Sequence, residues 1–177
     1  MSTKIQINII VALDLNRGIG FDGQMPWHIK EELRHFKTVT TFCQPGQQNA
    51  MIMGRKTWES LPEKVRPLPG RVNVVISRQT YSLPEGVYLA HSFDEALNLL
   101  QKNRPPIDQI FVMGGGQLYQ EVIKHPAITT LYITQIKKAY PCDTWFPAYQ
   151  DTFRLESESE NFEEDGVRYA YQVWQRI

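Results

Sequence analysis

A carboxylate set into an apolar stripe is the first feature of this 177-residue chain that could do chemistry. The segment His28–Thr38 reads HIKEELRHFKT, and Ile29, Leu33 and Phe36 fall at i, i+4 and i+7 on one helical face. Glu32 lies at i+3 on the same face, while Lys30, Glu31, Arg34 and Lys37 point mostly elsewhere. Burying a carboxylate is unfavourable unless something pairs with it. Burial also raises its pKa, which suits a site that binds and protonates a nitrogen heterocycle. The spacing alone leaves a plainer alternative open, in which Glu32 sits at the stripe's edge and reaches water.

A second group of residues could hold phosphate. The run QIFVMGGGQLY, Gln109–Tyr119, places Gly114, Gly115 and Gly116 between a strand and a helix. Glycine lets backbone approach a phosphate, and the helix start behind it presents free N–H groups. The run is not a G-x-G-x-x-G fingerprint, and by itself it could equally be a structural turn. Gly54-Arg55-Lys56-Thr57 repeats the pattern with basic residues. Ser77-Arg78 ends a neighbouring strand and would add charge at the same point. Alone, each of these basic residues reads as solvated.

Composition bounds what such groups could serve. Hydrophobic residues make up 42% and charged residues 21%, with formal net charge zero, so neither nucleic acid nor a membrane surface is an expected partner. The charge is uneven: Gly54–Arg78 carries Arg55, Lys56, Lys64, Arg66, Arg71 and Arg78 against Glu59 and Glu63. That stretch could meet an anionic ligand. Gln150–Asp165 holds seven acidic residues against Arg154 and reads as a solvated face. The two cysteines, Cys43 and Cys142, lack metal-type spacing, so no metal site is expected and a reducing compartment is the simplest reading. The N-terminal apolar run is too short for a leader and has no small-residue cleavage site. No stretch approaches the roughly 18–20 apolar residues of a membrane span. A cytoplasmic location is expected.

These residues must be positioned by a sheet. Ile5–Leu13, Ala50–Gly54, Arg71–Ser77, Gly86–Ala90 and Gln109–Met113 read as strands, the first a buried central one. Helices are expected from His28, over Thr57–Leu61, from an Ser92 N-cap with Glu95 completing a capping box to Gln101, and over Gln117–Lys124. Thr129–Lys138, Phe153–Glu158 and Val167–Arg176 are further strands. The alternation in VRYAYQVWQR predicts an antiparallel edge with one wet face. The order implies one α/β domain over residues 1–177, with a mostly parallel central sheet of about eight strands, an antiparallel C-terminal strand and about four flanking helices.

Several motifs in order resemble dihydrofolate reductase: the opening strand with Ile19-Gly20, Met25-Pro26-Trp27 before Glu32 and Phe36, MGRKTWESLP, PLPGRVNVVISR, VMGGGQLY, LYITQI and CDTWFP. Each match is weak, but the ordered set is specific and runs from about Ile10 to Pro147. The resemblance implies reduction of 7,8-dihydrofolate by NADPH, with hydride passing to pterin C6 and a proton to N5. It implies that Glu32 accepts hydrogen bonds from the pterin 2-amino group and N3, that Thr134 holds one carboxylate oxygen, and that Trp27 positions a water beside the ring. Ile10, Leu33, Phe36, Leu68 and Met113 would wall the substrate, and Arg71 would meet the carboxylate of its glutamate tail. Without the resemblance, Leu33 and Phe36 read as core, Trp27 as packing at a helix entrance and Arg71 as a surface charge.

The resemblance further implies a cofactor cleft of Ala12, Ile19, Gly20, Gly54, Arg55, Lys56, Thr57, Ser77, Arg78, Gly114, Gly115, Gly116, Gln117 and Leu118. It implies a cis peptide at Gly114–Gly115. The basic cluster suits a 2′-phosphate, hence NADPH over NADH. Asn16–Gln24 would close over the nicotinamide as a lid braced by Asp143. Asp14 and Asp22 read as turn formers.

Departures from the family pattern are few. Glu32 stands where many bacterial members have aspartate, and Cys142 where glycine is common. PEKVRPLPGR and Ser77-Arg78 look animal-type. One domain and no thymidylate synthase part is expected, and the chain is expected to act as a monomer. A riboflavin-pathway reductase is the nearest rival, opposed by the pairing of Glu32 with Arg71. A catalytically silent folate- or nucleotide-binding module is opposed by Glu32, Trp27 and Thr134 occurring together.

Overall fold

Apolar runs become the strands of one large sheet in the computed structural model, which describes residues 4–177. The elements are β1 (Gln6–Leu13), β2 (Gly18–Gly20), α1 (Lys30–Thr41), β3 (Gln48–Gly54), α2 (Arg55–Ser60), a 3-10 turn at Glu63–Val65, β4 (Val72–Ile76), β5 (Tyr88–Ala90) and α3 (Phe93–Gln101). They continue with β6 (Ile107–Val112), α4 (Gly116–Val122), β7 (Ile128–Ile136), β8 (Thr144–Trp145), β9 (Phe153–Glu158), β10 (Phe162–Glu164) and β11 (Val167–Arg176).

The sheet runs β10-β11-β7-β1-β6-β3-β4-β5, and β9 shares the outer edge of β11 with β10. Pairing from β7 through β5 is parallel. β11 lies antiparallel to β7, β9 and β10. The α/β class, the parallel centre, the antiparallel finish and the four helices are as expected. The C-terminal strand is not an edge, however. Its Val167–Tyr169 end pairs with β10 and its Gln172–Arg176 end with β9, so the hairpins fold back over it. Alternating polarity reports which face is wet. It does not report whether the backbone edge is paired.

The core lies on both sides of the sheet because successive side chains of a strand point oppositely. Ile7, Ile9, Val11 and Leu13 of β1 join Ala96 and Leu100 of α3 and Leu118 and Val122 of α4. Ile10 points the other way, into a cluster with Met51, Met53, Trp58, Leu68 and Phe111, against which Phe36 and Val39 of α1 pack.

α1 starts at Lys30, two residues after the expected start, because Ile29 is extended (φ −127°). Its buried positions are Glu32 and Thr40, with Phe36 partly buried between them, so the inward stripe is centred on Glu32. Leu33 is 45% exposed and lies on the open flank. α3 is capped by Ser92, whose hydroxyl accepts from Glu95 N at 3.1 Å. Glu95 reaches back to His91 N rather than to Ser92 N. Among the described residues, no helix is long and apolar enough to cross a membrane.

Candidate active site

Parallel strands all end on one side, and the ends of β1, β3, β4 and β6 open onto a cleft of about 1570 Å³. This is where open α/β sheets hold ligands. β6 lies between β1 and β3, so its exit loop, Met113–Gly116, sits at the centre of the cleft.

α1 carries Glu32 into one wall. The residue is 8% exposed, and Thr134 Oγ1 of β7 donates to Glu32 Oε1 at 3.2 Å. Burial pushes its carboxyl above the ordinary value, and the bond from Thr134 partly opposes that shift. Glu32 therefore faces the cleft as an acceptor held from behind by a single hydroxyl.

Thr134 and Trp27 do not themselves line the cleft. Trp27 packs with Ile29, Ile136 and Tyr169 and lies 5.6 Å from the ring of Tyr140. Its Nε1 is a buried donor with no protein acceptor, the single such side-chain atom among the described residues. A donor of this kind is where a water or a ligand acceptor is held.

Ile10, Leu33, Phe36, Leu68 and Met113 all line the cleft. The exposure of Leu33 removes the reading of it as core; it offers apolar surface to the cleft. Arg71, 8% exposed, reaches the cleft from the start of β4. Its Nε donates to Pro69 O at 3.0 Å and its Nη1 to Thr40 Oγ1 at 2.9 Å, which fixes the fork. Burial works against its charge, so an anion opposite it would be well matched.

The same cleft also gathers Ala12, Ile19, Gly20, Gly54, Arg55, Lys56, Thr57, Ser77, Arg78, Gly114, Gly115, Gly116, Gln117 and Leu118. Arg55, Lys56 and Arg78 are exposed cations at the ends of β3 and β4, whereas Arg66 is turned onto the Trp58 ring. The Gly114–Gly115 peptide is cis, and Gly54 N donates to Gly114 O at 2.8 Å, joining the two glycine-rich turns. A Cβ on Gly116 would lie 2.6 Å from Thr144 Cγ2. That close approach requires glycine and leaves the α4 start bare toward the cleft. An extended, phosphate-bearing dinucleotide fits this cradle.

The loop after β1, the expected lid, is tied down on one side. β2 pairs with β8, and Asp143 Oδ2 accepts from Asp22 N at 2.9 Å. That bond and one from Thr144 hold the Asp143 carboxyl below its ordinary range. Asp14 is a turn former: Oδ1 accepts from Asn16 N and Gly18 N, and Oδ2 from Tyr140 N.

Some cleft residues lie outside the set that the motifs imply. Tyr119 is buried, and its hydroxyl donates to Ile10 O at 2.8 Å. Burial and the nearby Glu32 push its pKa far up, so the donor stays protonated. Thr144, His91 and Ser92 also line the cleft. Thr144 stands beside Asp143 in CDTWFP, and Ser92 was visible only as a helix cap.

The comparisons agree with this geometry. The family model described as dihydrofolate reductase matches residues 6–176. The dihydrofolate reductase of Drosophila melanogaster is 38% identical over 180 residues, covering 97% of this chain and 98% of its own. That of Rattus norvegicus is 39% identical over 181 residues, covering 96% and 97%. The Schistosoma mansoni dihydrofolate reductase structure superposes with a TM-score of 0.87 at 35% identity, covering 99% of this chain and 100% of its own. The chain belongs to the dihydrofolate reductase family.

Proposed function

We propose that Glu32 anchors the pterin of dihydrofolate, with Thr134 and Trp27 setting its environment and Arg71 holding the glutamate tail. As a dihydrofolate reductase, the chain reduces dihydrofolate to tetrahydrofolate with NADPH. The observation that carries the assignment is the buried Glu32 carboxylate opening on the cleft with one protein partner, Thr134.

NADPH, when bound, supplies the hydride, and one proton from solvent completes the balance. Arg55, Lys56 and Arg78 would meet its 2′-phosphate, while Gly54, Thr57 and the Gly114–Leu118 turn would receive the rest. Glu32 accepts from the 2-amino group and N3, which orients the ring and stabilises positive charge developing on it. Its carboxylate serves the far side of the pterin from N5, so a water carries the last proton. Trp27 Nε1 is the buried donor that fixes a water at this end. Ile10, Leu33, Phe36, Leu68 and Met113 exclude bulk water from the substrate's apolar middle. The lid from Asn16 to Gln24, tied to Asp143, closes the cofactor end.

One domain over residues 1–177 and activity as a single chain belong to the same proposal. The free thiols of Cys43 and Cys142 fit a reducing, cytoplasmic compartment.

Turnover of NADPH and dihydrofolate by the purified protein and by Glu32→Gln tests the assignment. The parent turns over, and the variant loses about a hundredfold or more in kcat/KM near neutral pH. Undiminished turnover by Glu32→Gln contradicts it.

A further inference from the structure

The acidic stretch before the last strand contains one residue that is more than solvated surface. Glu164 ends β10 and reaches across to α1, 134 residues earlier in the chain. Its Oε2 accepts from Lys30 N at 2.7 Å and its Oε1 from Glu31 N at 3.2 Å. These are the first two N–H groups of the helix, and the N-cap residue Ile29 supplies no side-chain acceptor for them. Bonds from those backbone groups hold the Glu164 carboxyl below its ordinary range. The next residue in the chain is Glu32.

The backbone that carries this side chain is itself held in place. Glu164 pairs with Val167 across the two-residue turn Asp165-Gly166, both at positive φ (51° and 79°). This is the turn type that matches strand twist in a tight hairpin. The same hairpin meets α1 again one turn on: Tyr171 of β11 stacks on His35 at 3.6 Å between ring centroids. Tyr171 sits opposite Thr134 in the β7–β11 register, so the strand that supports α1 also flanks the hydroxyl bonded to Glu32.

We propose that Glu164 is a positioning residue for pterin binding: it ties the first turn of α1 to the β10–β11 hairpin and so fixes Glu32 against the cleft. A helix's first turn frays unless its free N–H groups are satisfied, and Glu32 stands in that turn. A binding group must be held by supporting bonds to keep its geometry. The inference rests on the assignment of Glu32 to pterin recognition. Ionisable neighbours are Lys30 and His28 beside Glu164. Around Glu32 they are Tyr119, Tyr169 and Tyr171 from the facing elements and Glu31 and His35 on α1.

The test compares the parent, Glu164→Ala, Glu164→Gln and Glu32→Gln in dihydrofolate kinetics across pH, with thermal unfolding alongside. Loss of the cap in Glu164→Ala raises KM for dihydrofolate about fivefold, with kcat changed less than about twofold. The limb of the pH profile set by Glu32 moves to lower pH, because a frayed first turn admits water to the carboxylate. Glu164→Gln keeps a carbonyl acceptor and restores most of the loss. A Glu164→Ala protein that melts earlier but keeps the parent's KM and pH profile overturns the proposal, leaving a purely structural cap. Loss of activity in Glu32→Gln beside a silent Glu164→Ala overturns this inference alone. An active Glu32→Gln overturns the assignment of Glu32 and this inference with it.

Discussion

Thr134 Oγ1 donates to Glu32 Oε1 across 3.2 Å, joining β7 to α1 behind the cleft wall. Burial drives the Glu32 carboxyl up and this bond draws it down, so the hydroxyl helps decide how readily the anchor ionises. Thr134→Val keeps the shape and removes the donor. Its kcat/KM for dihydrofolate is expected to fall about tenfold, the limb of the pH profile set by Glu32 moving to higher pH. Thr134→Ser is expected to behave like the parent. Steady-state kinetics over a pH series decide the matter; an unmoved limb in Thr134→Val excludes the role.

Glu32 should also be a liability for stability. Its pKa is higher in the fold than in the unfolded chain, so between the two values the folded state binds more protons. Its contribution is fully present below the unfolded pKa and is lost as pH rises through the folded pKa. Glu32→Gln is therefore expected to melt a few degrees above the parent at alkaline pH and to match it in acid. Calorimetry at both ends of the range checks the sign. A variant that melts lower at alkaline pH contradicts the burial argument.

Arg71 is fixed by Pro69 O and Thr40 Oγ1, and Thr40 keeps its own 2.7 Å bond to Phe36 O when the arginine is removed. Arg71→Leu should therefore act on substrate more than on the fold. KM for dihydrofolate is expected to rise about ten- to a hundredfold, from loss of a charge-assisted bond. For a dihydropterin lacking the glutamate tail, KM should stay the same. Equal effects on both substrates would place the tail elsewhere.

Cys142 and Gly18 constrain each other where β2 begins. A Cβ on Gly18 would lie 2.4 Å from Cys142 Sγ and 3.0 Å from its Cβ. Gly18→Ala is expected to destabilise the protein by about 1–3 kcal/mol, as overpacking does. Adding Cys142→Gly should recover most of that loss, leaving the 3.0 Å approach to Asp14 Oδ1. Denaturant titration of the four proteins in this cycle gives the coupling directly; additive losses would mean that the two residues do not share the space.

Strands buried on both faces were legible because apolar runs such as Ile5–Leu13 have few other uses, and Glu32 stood out because a carboxylate broke a helical period. Of the residues the ordered motifs implied, all line the cleft except Trp27 and Thr134, and Thr134 reaches it only through its bond to Glu32. Periodicity gives a residue's face but not its depth. For this reason Leu33 was open to being read as core, although it lines the cleft. β2 and β8 are three and two residues long, too short to carry an alternation, so their pairing was invisible. Glu164 was hidden for another reason. Its partners are backbone N–H groups more than a hundred residues away, and only the folded hairpin brings it to them. The Asp165-Gly166 pair is a hairpin signature that the expectation of a solvated acidic face overlooks.

The most direct measurement is the titration of the Glu32 carboxyl carbon by NMR, in the free protein and with dihydrofolate bound. A buried anchor predicts a midpoint above the ordinary carboxylate range in the free protein. It also predicts a carboxylate that stays ionised over the same range once the pterin's 2-amino group and N3 donate to it. An ordinary midpoint that does not move on binding would contradict the account.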